Sequence, residues 1–185
     1  MKFNQYSHLD GLHAFLSPSS SSWVNYDDER LVSAFNNMKM RERGTELHAY
    51  ASYSIKNRIK LAPHKKSLNQ FVNDAIGYRM ESEQILYYSE HCFGTADAIS
   101  FDETDRLLRI FDLKTGIIQV TFRQLYVYSA IFCLEYNKDP RDFDIELRLY
   151  QNNEIIIDYP EKETILDIMD KIKHFDKILS KVASD

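Results

Sequence analysis

Glycine, proline and cysteine are all scarce in this chain of 185 residues, at five, four and two. So few glycines and prolines leave no room for a long flexible linker. No apolar run approaches the roughly 18 residues that a membrane-spanning helix needs. Residues 1–11 are polar and lack the apolar centre of a secretion signal, so a soluble cytoplasmic protein is expected. Cys92 and Cys133 have no partner cysteine at metal-ligand spacing. That excludes a thiolate zinc site or an iron–sulfur cluster, and both thiols read as small buried hydrophobes.

Positive charge is also in deficit, since the net charge is −5. It is unevenly spread. Residues 39–66 carry eight Lys/Arg against Glu42 and Glu46, a local net of +6 that leaves −11 elsewhere. Such a segment suits either a solvated helix face or a surface that tracks phosphates.

What is present reads as one domain over residues 1–185. Its parts are a helical portion (17–80), a sheet with a helix (83–137), and a hairpin with a closing helix (143–183). Ser17 followed by Pro18 is a helix-entry signal. Residues 30–43 continue as helix, and residues 44–60 form a second helical pattern on Leu47, Tyr50, Ala51, Ile55 and Ile59. A short helix over 67–79 follows, with Ser67 as its cap. Three strands are expected at 84–89, 94–101 and 106–113, with a turn over 102–105. A deeply buried helix spans 121–136, a second hairpin turns at 151–153, and Pro160 opens an amphipathic terminal helix. The fold class is α/β (α+β), with about five strands in a mixed central sheet flanked by helices.

The first hairpin carries the chemistry. A turn centred between 103 and 104 sets Asp97 opposite Ile110, with Asp112 two positions further along. Alternation then places Asp97, Asp112 and Lys114 on one face of a sheet that is otherwise apolar. Two carboxylates beside a core are costly unless a cation neutralises them. A divalent metal with oxygen ligands satisfies that need, and a lysine beside it can position a water or stabilise charge on a phosphate. A surface Asp–Lys ion pair gives the same short pattern.

Four segments in order carry a resemblance. They are Gly44-Thr45-Glu46-Leu47-His48, Gly94-Thr95-Ala96-Asp97, Asp112-Leu113-Lys114-Thr115-Gly116 and Gln124-Leu125-Tyr126-Val127-Tyr128. Together they resemble the RecB-like branch of the PD-(D/E)XK nuclease superfamily, which includes lambda-exonuclease relatives and CRISPR-associated exonucleases. Leu16-Ser17-Pro18-Ser19-Ser20 with Trp23 is similar to the start of small phage-encoded members. The resemblance implies a restriction-endonuclease-like core and Mg2+- or Mn2+-dependent cleavage of DNA. It implies metal ligation by His48, Asp97, Asp112 and the Leu113 backbone carbonyl, with Lys114 orienting the attacking water.

Gln124 and Tyr128 would hold the lysine or touch the DNA backbone, while Arg123, Lys56 and Arg58 would contact phosphates. Exonuclease action in phage or bacterial recombination, repair or replication is the form it suggests. A single-strand annealing or other recombination protein is an implied partner, and related exonucleases form rings or trimers. Ala96 stands where the superfamily has its naming proline, and two cysteines cannot supply the four-thiolate cluster of some members. A structure-selective or restriction-type endonuclease, and an inactive nucleic-acid-binding module, are the rival readings. Glu46, two residues from His48 on a helix, points elsewhere.

Overall fold

The computed structural model describes residues 14–116 and 121–182. The polar N-terminal stretch 1–11, with His8, and His13 beyond it, lie outside the described residues. The chain falls into two compact units, Met1–Arg43 and Gly44–Asp185.

Within the first unit, Pro18 opens a 3-10 helix over Pro18–Asn25. The Ser17 hydroxyl makes no capping bond there; its carbonyl accepts instead from the Trp23 indole at 3.0 Å. The helix α1 (Asp28–Lys56) begins in this unit, and Asp27 caps it by accepting from Arg30 N–H at 2.8 Å. It was expected as two helices meeting at Gly44. Instead one 29-residue helix runs through the glycine and ends at Lys56. A helical glycine costs about 1 kcal/mol relative to alanine, and a close approach described below accounts for its presence.

The second unit is a three-layer α/β/α sandwich. Its mixed sheet comprises β1 (Glu81–Ser89), β2 (Cys92–Asp102), β3 (Leu107–Leu113), β4 (Asp144–Gln151) and β5 (Glu154–Asp158), hydrogen-bonded in chain order. All neighbours are antiparallel except β3 and β4. That parallel pair is joined by the crossover helix α3 (Arg123–Glu135), as a parallel connection requires. One face buries Ile99, Leu108, Ile110, Leu147 and Leu149 beneath α3 and α4 (Lys162–Val182). The other buries Ala98, Phe111, Leu113 and Tyr150 beneath Ala51 and Ile55 of α1 and Phe71, Val72 and Ala75 of α2 (Ser67–Gly77). Ser67 does not cap α2: Lys66 is its N-cap, and the Ser67 hydroxyl accepts from Asn153 N–H at 2.8 Å.

Two turn details set the register. Asn152 and Asn153 both have positive φ (52° and 65°) and join β4 to β5 in a two-residue turn, so this hairpin closes where the sequence places it. The β2–β3 hairpin differs from expectation. Its last pair is Asp102 with Leu107, not Phe101 with Arg106. Asp102 Oδ1 accepts from Thr104 and Asp105 N–H, and Arg106 takes the left-handed position at φ 52°. Ile99 therefore faces Ile110 and Ala98 faces Phe111, which leaves Asp97 and Asp112 each one step beyond the last pair.

Among the described residues no helix is long and apolar enough to cross a membrane.

Candidate functional site

The site lies within Gly44–Asp185, where β2 and β3 stop pairing. Their ladder ends at Ala98 with Phe111. Beyond it, the Asp97 carboxylate replaces a backbone carbonyl and accepts from Leu113 N–H at 2.8 Å. Lys114 N–H turns the other way, to the Tyr150 carbonyl of β4 at 2.9 Å. The segment bearing Asp112 and Lys114 is thereby fixed from both sides.

β2 also changes phase here. Ala96 packs in the core beneath α3 and α4, while Ala98, two residues on, packs in the core beneath α1 and α2. A regular strand would put both on one face, so alternation reverses at Asp97. On the neighbouring strand Glu83, flanked by the pairs Ser82–Ala98 and Gln84–Ala96, has φ 53°. Local irregularities of this kind re-aim a side chain beside functional sites.

Helix α1 delivers His48. Its Nδ1 lies 3.4 Å from Asp97 Oδ2. Gly44, one turn earlier on the same helical face, packs against the loop that follows Lys114. A Cβ at Gly44 would sit 2.7 Å from Thr115 Oγ1. The missing side chain lets α1 lie close enough for the imidazole to reach the sheet.

The lysine is held by a relay of side chains. Lys114 Nζ lies 3.0 Å from Asp112 Oδ2 and donates to Gln124 Oε1 at 2.8 Å. Gln124 Nε2 donates to the Tyr128 hydroxyl at 3.3 Å, which donates to the Thr95 carbonyl at 2.6 Å. Gly94 admits the tyrosine ring: a Cβ there would meet Tyr128 Cε1 at 2.9 Å. Gln124 and Tyr128, four apart on α3, thus tie the lysine back to β2.

Electrostatics follow from burial. The Asp112 side chain is only 4% exposed. Loss of solvent, then the nearby Asp97 charge, push its carboxyl up to about 6 against the opposing pull of Lys114. The Lys114 ammonium is ion-paired to Asp112 Oδ2 without pointing a well-directed N–H at it. His48 is held above its ordinary value chiefly by its bond to the Asp97 carboxylate. Glu83 is also raised, by desolvation and then by Asp97.

The residues expected from sequence do not all converge. His48 and Asp97 come together, as do Asp112 and Lys114. Glu83 is the addition: one donor atom from each of His48, Glu83 and Asp97 lies within 4.8 Å of the others. The sequence reading began this strand at Gln84, which left Glu83 outside it. The polar run Glu81-Ser82-Glu83-Gln84 conceals a strand whose inward positions are small or polar. Leu113 contributes its N–H to Asp97, as described. The Lys56 charge bears on Glu83. Arg58 sits in the turn closing α1, and Arg123 opens α3. Neither is hydrogen-bonded or ion-paired to the site among the described residues. Glu46 is exposed and outside the donor group.

No protein-family model, curated protein or solved structure matches this chain. The site's contents are an imidazole and two carboxylates whose donor atoms lie close enough to hold a divalent cation, with the Asp112–Lys114 ion pair fixed beside them. Such an arrangement can bind an anionic ester and stabilise charge that develops on it.

Proposed function

We propose that the protein is a metal-dependent nuclease that hydrolyses phosphodiester bonds in DNA. The observation that carries this reading is the Lys114 ammonium, held between Asp112 and Gln124 beside the His48–Asp97 pair. A lysine placed for catalysis must stay in one position, and Asp112 together with the Gln124–Tyr128 relay serves that end.

A Mg2+ or Mn2+ ion fits the residues present. Asp97 and Asp112 each lie one step beyond the last β2–β3 pair, and buried Asp112 Oδ2 has no well-directed hydrogen bond beside its ion pair with Lys114. His48, Asp97, Asp112 and the Leu113 carbonyl would hold the ion. When bound, it supplies Lewis-acid polarisation and a more acidic water. Lys114 orients the water and offsets charge on the phosphate oxygens. Gln124 and Tyr128 keep the lysine in place. Arg123, Lys56 and Arg58 meet neighbouring phosphates through the long-range attraction of their charges.

Strands β1 and β2 offer a place for bases. Tyr87 and Phe93 are exposed and stack at 6.2 Å between centroids. Tyr87 lies four residues from Glu83, about 13 Å along an extended strand. A base on these rings belongs to an unpaired strand, which suits action at a DNA end.

The test uses end-labelled linear and closed-circular DNA, single- and double-stranded, with magnesium, manganese or chelator. Metal-dependent loss of linear DNA with circles intact is expected of an exonuclease. Nicked circles would make it an endonuclease, and no cleavage with any metal would leave only a binding module.

Tyr128→Phe offers a finer check. It removes the hydroxyl that links Gln124 to the Thr95 carbonyl. Outer partners of this kind typically affect activity or metal affinity by about 10- to 100-fold. The turnover number is expected to fall by about tenfold, with DNA affinity little changed. An unchanged turnover number would mean that the relay does not position Lys114.

A further inference from the structure

We propose that Glu83 is a cation ligand, completing with His48 and Asp97 a divalent-cation site at the rim of the Asp112–Lys114 pair. The proposal deepens the nuclease reading and rests on it for the site's role. Three different elements, α1, β1 and β2, each supply one donor, and the three atoms lie within 4.8 Å of one another. Ligands of one cation with bonds of about 2.1 Å stand from about 3 Å apart, when adjacent, to about 4.2 Å, when opposite. Side-chain movements of under about 1 Å therefore bring all three onto one ion.

A second observation points to a cation in the same place. Asp112 is nine-tenths buried or more, and its Oδ2 has the Lys114 ammonium at 3.0 Å but no well-directed hydrogen bond. Like Asp97 it lies one step beyond the last β2–β3 pair, and its charge bears on His48. Glu83, Asp97 and Asp112 thus bring three carboxylates together, while the Lys114 ammonium is already engaged by Asp112 and Gln124. A fixed positive charge is what this grouping lacks.

The donor chemistry narrows the ion. An imidazole nitrogen with two carboxylate oxygens favours a first-row transition ion, of which manganese is the one most at home with carboxylates, over magnesium. Magnesium prefers oxygen and gives up its waters reluctantly. The site is expected to bind Mn2+ more tightly than Mg2+.

The experiment is a calorimetric Mn2+ titration of the full chain, with pulsed electron paramagnetic resonance on the bound ion. Parent, His48→Ala, Glu83→Gln and Asp112→Asn are compared, with melting in chelator recorded for each. The parent should show imidazole-nitrogen coupling that His48→Ala loses and Asp112→Asn keeps. Glu83→Gln should weaken binding by about 100-fold, the upper end of what even outer partners of a metal cost. In chelator Glu83→Gln should melt no lower than the parent, because it removes a like charge from beside Asp97. A merely structural glutamate would lower that melting point.

Mn2+ binding by Glu83→Gln within about twofold of the parent overturns the proposal; so does a parent that binds no Mn2+ with nitrogen coupling. The two readings fail separately. Glu83-dependent Mn2+ binding without DNA cleavage removes the nuclease and keeps the site. Cleavage in manganese with Glu83→Gln binding unaltered does the reverse.

Discussion

Lys114→Ala is expected to lower the rate of the proposed DNA cleavage by on the order of 10²- to 10³-fold, the usual cost of losing one group aimed at developing charge. The fold survives, since the side chain is a quarter exposed and lies outside both cores. Stability nevertheless changes in a pH-dependent way. Asp112 loses the one cation near its buried oxygen, so its carboxyl rises further above about 6. The variant should be less stable than the parent by about 1–3 kcal/mol above neutrality, the range for a buried group left unsatisfied. Near pH 4 the carboxyl is protonated in the native state and the difference closes. Cleavage kinetics with chemical denaturation at pH 4.5 and 8 measure both effects. Parent-like cleavage, or a stability gap of equal size at the two pH values, would rule out this account of Lys114.

Asp112→Asn acts in the opposite sense on stability and in the same sense on activity. The native carboxyl titrates at about 6 against an ordinary 3.8. Between these values the folded state holds a proton that the unfolded chain has released, so stability falls as pH rises through this window. A displacement of about two units corresponds to about 3 kcal/mol. Asparagine abolishes the loss. Lys114 gives up its ion pair but keeps Gln124, which reduces the gain.

In chelator at pH 8 the variant should therefore be more stable by about 1–3 kcal/mol, or roughly 3–10 °C in Tm for a chain of this size. Near pH 4 the two should converge. His48 adds to the slope of the parent. Its raised value stabilises the fold at pH below the ordinary 6.5, and that contribution is lost as pH rises through the native value. Both groups make the cation-free parent weaker with rising pH, while the ligands become better able to hold a cation. Cleavage by Asp112→Asn should fall to background. Parent and variant melting curves that run parallel from pH 4 to 8 would show that Asp112 is not strained by its burial.

Much of the site was legible because short-range chemistry determines it. Asp112 and Lys114 share a strand, Gln124 and Tyr128 share a helical face, and the apolar alternation of β3 marks which side is buried. The register was misread by two residues because the turn carries no glycine: Arg106 takes the left-handed position, so nothing in the composition marks the true centre. A shift of two preserves parity, but alternation breaks at Asp97, whose carboxylate takes a backbone N–H of β3, so parity does not by itself set its side. Helix α1 was divided at Gly44 because helix propensity carries no information about Thr115, seventy-one positions away in sequence. Glu83 could not have been found by pattern. Its strand begins with polar residues, and its φ of 53° breaks the alternation on which strand reading depends.

That backbone irregularity has a consequence away from the chemistry. Strand β1 is one margin of the sheet, and a long, flat margin invites another chain to pair with it. The left-handed turn of Glu83 interrupts the outward row of amides and carbonyls. Further along, the outward Tyr87 N–H is taken by the Glu135 carboxylate at 2.8 Å. An incoming strand meets a kink, then an occupied donor, and cannot lay down a continuous ladder beside the exposed Ile85 and Tyr87. The backbone bend at Glu83 thereby works against edge-to-edge aggregation of the protein.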